Sequence, residues 1–183
     1  MQREEALKLV TDNVSNQNLV KHMIAAEAIM RALAAHFGED EDTWGLAGLL
    51  HDIDYDTTKD DPSTHSLLGS QMLAEAGVSP EIVYAVKVHN EAHGDPRVSR
   101  LDKALYAVDP LTGLITAAAL IRPEKKLSVV TPESVLKRFG EKAFARGANR
   151  EQIKTCSEIG LTLEEMVAIS VAAMQRVADD LGL

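Results

Sequence analysis

Residues 15–38, SNQNLVKHMIAAEAIMRALAAHFG, decide the fold class. Leu19, Met23, Ala26, Met30, Leu33 and Phe37 recur at the three- and four-residue spacing of a single helix face. Ser15-Asn16 offers an N-cap and Gly38 a stop, so the pattern predicts one amphipathic helix. His22 lies four residues before Ala26 and seven before Ile29, on the apolar stripe. A polar side chain in that position needs a partner.

Outward from this helix the chain keeps the same character. Asp40 or Asp42 starts a second helix through Trp44, Ala47, Leu50 and His51, after which DIDYDTTKDDPST reads as an acidic loop. Ser63 or Thr64 starts a third, which carries Leu67, Leu68, Met72 and Leu73 to Gly77, and SPEIVYAVKVH follows with Pro80 in its first turn. The segment from Ser99 through Val108 contains Leu101, Leu105 and Val108, and Pro110 fits the beginning of another, apolar helix that runs to Ile121 and stops before Pro123, with Asp109 at the junction. Later helices start near Thr131-Pro132, Asn149 and Thr162. No β-rich block, repeat or low-complexity linker interrupts them. The expectation is an all-α bundle forming one domain over residues 1–183, with a core at about 15–122 and additional packing helices at about 127–183.

Composition narrows the function. The chain has 183 residues, 45% hydrophobic, with a net charge of -9. That charge disfavours nonspecific capture of nucleic acid or an anionic membrane, so no stable nucleic-acid complex is expected. A single cysteine excludes a disulfide scaffold and any cysteine-rich metal site. No apolar run approaches a membrane span, and the charged opening MQREEALKLV lacks a signal-peptide core. A cytoplasmic protein is expected; the sequence gives no sign of its oligomeric state.

The informative polar residues are His22, the pair His51-Asp52, His65, His89 and Asp109. His51-Asp52 follows LAGLL, which carries the pair inward, and Asp109 follows the apolar ALYAV. A lone helical histidine is ordinarily a satisfied core or surface side chain. A buried set of imidazoles and carboxylates is another matter, because a divalent cation offsets the carboxylate charge and these donors suit Mn, Fe, Co, Ni or Zn.

In order and local setting, H at 22, HD at 51–52 and D at 109 resemble the H…HD…D signature of the HD-domain metal-dependent phosphohydrolase superfamily. GLLHDIDYD, STHSLLG, AVKVHNEAHG and YAVDPLTG carry that resemblance. It implies a compact helical bundle in which His22, His51, Asp52 and Asp109 hold a divalent metal (Mn, Fe, Co, Ni, Zn or Mg). His65 and His89 match the extra histidines that some members use for a second metal or for substrate phosphate. The implied activity is hydrolysis of a phosphate ester of a small molecule, such as a nucleotide, with Asp52 holding one ion or bridging two. The alternative is a noncatalytic module that keeps the metal for ligand binding or sensing.

Asp54, Asp56, Asp60 and Asp61 follow the HD pair and read first as a solvated loop, with Asp56 the best candidate among them for a catalytic role as partner or base. Lys59, Lys87, Arg97, Arg100 and Lys103 are the nearby cations in sequence, each an ordinary surface charge by default. His89-Asn90-Glu91-Ala92-His93 spaces two histidines like a zinc-protease helix, but Glu91 is one position too late and Gly94-Asp95-Pro96 breaks the helix. Cys156 has no basic neighbour and reads as core. Neither phosphate-loop nor dinucleotide fingerprint occurs.

Overall fold

The computed structural model describes all residues, Met1–Leu183, and the expected first long helix runs over Gln17–Phe37 (α2). Asn16 caps it by accepting from the Asn18 N–H at 3.0 Å. Gly38 ends it at φ 71°, where a Cβ is disfavoured. Val20, Met23, Ala26, Ile29, Met30 and Leu33 are buried along its inner face. The preceding Arg3–Asn13 (α1) and the following Glu41–Leu50 (α3) pack together, and α3 lies lengthwise on α2. Every residue of α3 from Trp44 to Leu50 is buried. The two helices approach so closely that a Cβ on Gly48 would stand 2.7 Å from the Ala26 carbonyl. Glycine at 48 is therefore a packing requirement.

A short turn of helix at Tyr55–Thr58 (α4) leads to Leu67–Glu75 (α5) and Pro80–Val88 (α6), which pair with each other; α6 covers α3. The sequence predicts that α5 begins at Ser63 or Thr64, but its first helical residue is Leu67. The displacement has a physical cause. The Asp54 carboxylate reaches across and accepts from the N–H groups of Ser66 and Gly69, both at 2.8 Å, while Ser66 adopts φ 69° and turns its hydroxyl to the Lys87 carbonyl. A distant carboxylate thus supplies the N-terminal cap, and residues 61–66 remain a turn.

A second correction concerns Pro110. It does not begin a helix: Arg100–Leu120 (α7) is continuous through it. Proline at 110 cannot donate to the Tyr106 carbonyl four residues back, and that carbonyl accepts instead from Gln152 Nε2 at 2.8 Å. With the vacated acceptor satisfied, α7 continues, and Asp109 and Thr112 fall on one helix three residues apart.

The remaining helices, Pro132–Phe139 (α8), Arg150–Lys154 (α9), Leu163–Arg176 (α10) and Ala178–Leu181 (α11), close over α7 and α2. They share one continuous apolar core with α1, α2, α3, α5, α6 and α7, containing Leu105, Leu111, Ile115, Val135, Ile153, Met166 and Val171. The architecture is all-α. No helix is long and apolar enough to cross a membrane. Among the charged groups, Glu27 is 3% exposed and is compensated on both sides: Arg3 donates from Nε at 2.7 Å and Nη2 at 2.9 Å, and Arg31 from Nε at 3.1 Å. That arrangement ties α1 to α2 through a buried charge with its partners present.

Candidate metal centre

Asp52 emerges from the buried end of α3, and each of its carboxylate oxygens faces a pair of imidazoles. Oδ2 is 3.5 Å from both His22 Nε2 and His51 Nε2. Oδ1 is 3.4 Å from His65 Nε2 and 3.5 Å from His89 Nε2. Asp109 Oδ1 adds a carboxylate on the first side, 3.3 Å from His22 Nε2 and 3.8 Å from His51 Nε2. Six residues from five parts of the chain therefore meet: α2, the end of α3, the turn before α5, the end of α6, and α7. His51 is fully buried and His89 nearly so, whereas the Asp109 side chain is 31% exposed and marks the open side.

The opposite ring nitrogens fix these orientations. His51 Nδ1 donates to the Gly48 carbonyl at 2.8 Å and His89 Nδ1 to the Val86 carbonyl at 2.6 Å. His65 Nδ1 donates to Asp54 Oδ1 at 3.0 Å. Thr112 spends its hydroxyl hydrogen on the Asp109 carbonyl at 2.8 Å, so its oxygen accepts from His22 Nδ1 at 2.7 Å. These partners place a proton on Nδ1 of each ring and turn each Nε2 toward Asp52. Such outer hydrogen bonds are the usual device for orienting a metal-binding histidine.

This arrangement is costly on its own. His22 Nε2 and His51 Nε2 are 3.0 Å apart, so two lone pairs oppose each other unless a proton or a cation lies between them. Burial acts to push the His22 pKa down, but Asp109 and Asp52 outweigh it and raise the imidazole to about 10. Burial acts to raise both carboxylates, and the neighbouring histidines outweigh it: His51, His22 and His89 hold Asp52 well below its ordinary range, and His22 and His51 do the same for Asp109. The cluster thus favours positive charge. His22, His51 and Asp52 bring ligand atoms within 4.8 Å of one another, and Asp52, His65 and His89 form a second such group. Imidazole nitrogens with carboxylates are a donor set that fits a first-row divalent ion.

Asp56 lies elsewhere. Its Oδ2 accepts from Ser15 N at 2.6 Å, Ser15 Oγ at 2.7 Å and Asn16 N at 3.3 Å, and no hydrogen bond or ion pair joins it to the cluster. It secures the link between α1 and α2. Asp54 is not the solvated loop residue that the sequence predicts: it is 1% exposed and holds both His65 and the start of α5. The sequence pattern did not single out Asp54 or Thr112. The signal for Thr112 is its place three residues after Asp109, one turn along a helix that continues through Pro110.

His93 is not paired with His89: its Nε2 donates to the His65 carbonyl at 2.7 Å and so braces the turn. Lys87 and Arg100 are paired with Asp95 and Glu39, and Arg97 stacks on the Tyr106 ring at 3.6 Å. No contact brings Lys59 or Lys103 to the cluster. Cys156 is buried in the core, where burial pushes its thiol pKa up.

The family model for the HD domain matches residues 19–125, more than half of the chain and the whole span of the six converging residues. The chain belongs to the HD-domain family. Among curated proteins it is similar to ribonuclease Y of Lawsonia intracellularis, with 31% identity over 147 residues, covering 74% of this chain and 26% of that one. Ribonuclease Y of Desulforudis audaxviator is 30% identical over 139 residues, covering 74% and 26%, and that of Desulfotalea psychrophila 34% over 98 residues, covering 53% and 18%. The chain spans about a quarter of the length of the first of these relatives.

Proposed function

We propose that this chain is a metal-dependent phosphoester hydrolase whose centre is built by His22, His51, Asp52 and Asp109, with His65 and His89 extending it to a second ion or to substrate phosphate. The observation that carries the reading is the division of Asp52, one oxygen facing His22 and His51 and the other facing His65 and His89. That is the placement a carboxylate needs to bridge two cations. A divalent cation held there lowers the pKa of water to give a nucleophile near neutral pH and offsets charge on phosphoryl oxygens. The chain's own residues do the rest. The Nδ1 hydrogen bonds keep the rings aimed, burial of His51 and His89 keeps solvent from the inner side, and the exposed edge of Asp109 leaves the approach for substrate open.

The substrate in this reading is a phosphate ester of a nucleotide, and the centre's makeup applies equally to a monoester or a diester. The similarity to proteins named ribonuclease Y supports phosphodiester chemistry within the same class. The net charge of -9 favours a small substrate over a long nucleic acid held along the whole surface.

The test is metal analysis of protein purified without chelator, followed by turnover of bis(p-nitrophenyl) phosphate and a nucleotide panel with Mn, Fe, Co, Ni, Zn or Mg. The expected result is bound transition metal and hydrolysis that Asp52→Asn abolishes while the helical circular dichroism persists. Tight metal binding with no turnover on any phosphoester would establish the noncatalytic module instead.

A further inference from the structure

Charge is distributed unevenly along this acidic chain. Between Arg122 and Lys154 there are nine basic residues against four acidic ones, whereas the whole chain is at -9. The middle of that segment, residues 140–149, is a loop between α8 and α9 that reaches the mouth of the centre. A cavity of about 300 Å³ has His22 and Asp109 on one wall and Ala145, Gly147 and Ala148 on the other. Gly147 and Ala148 also line the adjoining cleft of about 590 Å³, into which Lys142, Arg146 and Asn149 face. The two spaces therefore border the same stretch of loop, Gly147-Ala148.

The loop has a fixed shape. The Arg150 guanidinium donates to the carbonyls of Phe139, Glu141, Phe144, Ala145 and Ala148, and this clamp holds Ala145 at φ 44° in the left-handed region. Two residues on, Gln152 fastens the same segment to the Tyr106 carbonyl of α7, just before Asp109. Arg150 is thereby consumed by the backbone, Arg138 by Glu141 at 2.6 Å, and Lys154 by Glu151 at 2.8 Å. Lys142 and Arg146 are exposed and have neither an ion pair nor a hydrogen bond. Two cations without a protein partner thus line a cleft on a clamped loop, and that cleft shares Gly147 and Ala148 with the cavity at His22 and Asp109; fixed, unpaired cations of this kind suit an anion.

We propose that Lys142 and Arg146 bind a second phosphate of the substrate, so that this protein acts on molecules with linked phosphates, a nucleoside polyphosphate or a short oligonucleotide, and not on simple phosphomonoesters. This rests on the proposed function for the position of the first phosphate; the cleft itself is independent of it. The loop lies outside the residues that match the HD-domain model, so this specificity is supplied by the chain's C-terminal part and not by the family signature.

The experiment measures affinity of the Mn-loaded protein for three probes, orthophosphate, tripolyphosphate and phosphorothioate hexathymidylate, over a series of salt concentrations. It compares wild type with Lys142→Ala/Arg146→Ala and with a charge-matched control, Lys8→Ala/Arg176→Ala. The double loop variant is expected to bind orthophosphate as wild type does and to lose about tenfold or more for at least one of the other two probes. For the oligonucleotide its log–log salt slope should fall by about 1.4, two phosphate contacts at about 0.7 each. Loss on tripolyphosphate alone identifies the polyphosphate source, and loss on hexathymidylate alone the oligonucleotide. Equal affinity and salt slope in wild type and loop variant, equal losses in the control, or no binding of either linked-phosphate probe by wild type overturns the proposal. A wild type that takes up no metal and does not bind orthophosphate, yet loses tripolyphosphate with the loop variant, would overturn the proposed hydrolase and leave the anion cleft standing.

Discussion

Gln152 Nε2 donates to the Tyr106 carbonyl at 2.8 Å, filling the place that Pro110 leaves vacant inside α7. Because Tyr106 is buried, Gln152→Ala strands that acceptor, a loss of about 1–3 kcal/mol. Urea unfolding of Gln152→Ala, Pro110→Ala and the double variant checks it. Alanine at 110 restores the helical N–H, so the double variant should lose less stability than the two single losses added together. Strict additivity would show that the two groups do not share the Tyr106 carbonyl.

Gly48→Ala places a methyl 2.7 Å from the Ala26 carbonyl, with backbone and not a flexible side chain in the way. Overpacking of this kind costs about 1–3 kcal/mol, and the strain falls on the carbonyl that orients His51. Both a lower thermal midpoint and weaker metal retention on dialysis are expected. A variant with wild-type values in both would mean that α2 and α3 can separate freely.

Asp54→Ala removes the acceptor for His65 Nδ1 and for the N–H groups of Ser66 and Gly69. In the two-ion reading, His65→Ala, His89→Ala and Asp54→Ala each lower the manganese stoichiometry from two to one, because His22, His51 and Asp109 stay in place. A single ion in wild type and all variants, with weaker orthophosphate binding in the variants, assigns His65 and His89 to phosphate contact.

The metal-free protein should be most stable in mildly acidic solution. The His22 pKa is raised to about 10 from 6.5, so its contribution is complete below about pH 6.5 and disappears as pH rises through 10. Asp52 and Asp109 are depressed, so theirs is complete above about pH 4 and disappears as pH falls further. Thermal melts in chelator should therefore be highest between about pH 4 and 6.5. Since a ligating imidazole must be neutral, metal uptake at pH 7 should release the His22 proton, measurable by calorimetry in buffers of different ionisation enthalpy. A melting temperature that rises steadily from pH 6 to 10 without metal would contradict the charge arrangement.

The sequence by itself determined the helices and the identity of the converging residues. Periodicity, caps and stops mark α2, α3, α8 and α10 because those signals are local, acting within one or two turns. His22, the His51-Asp52 pair and Asp109 stood out because a polar group on an apolar face demands a partner, and that demand is written in the neighbouring residues. Which partner answers it is a different kind of information. Asp54 and Asp56 are two residues apart in one acidic loop, yet one is buried on His65 and the other holds Ser15. Pro110 reads as a helix start until Gln152, 42 positions later, supplies the missing donor. The left-handed turn at Ser66 exists because a carboxylate 12 residues upstream pulls its N–H. Only the tertiary structure decided these, since each depends on groups distant in sequence being held within hydrogen-bond range by the packed core. The two faces of Asp52 and the cationic loop at its mouth follow from the same packing.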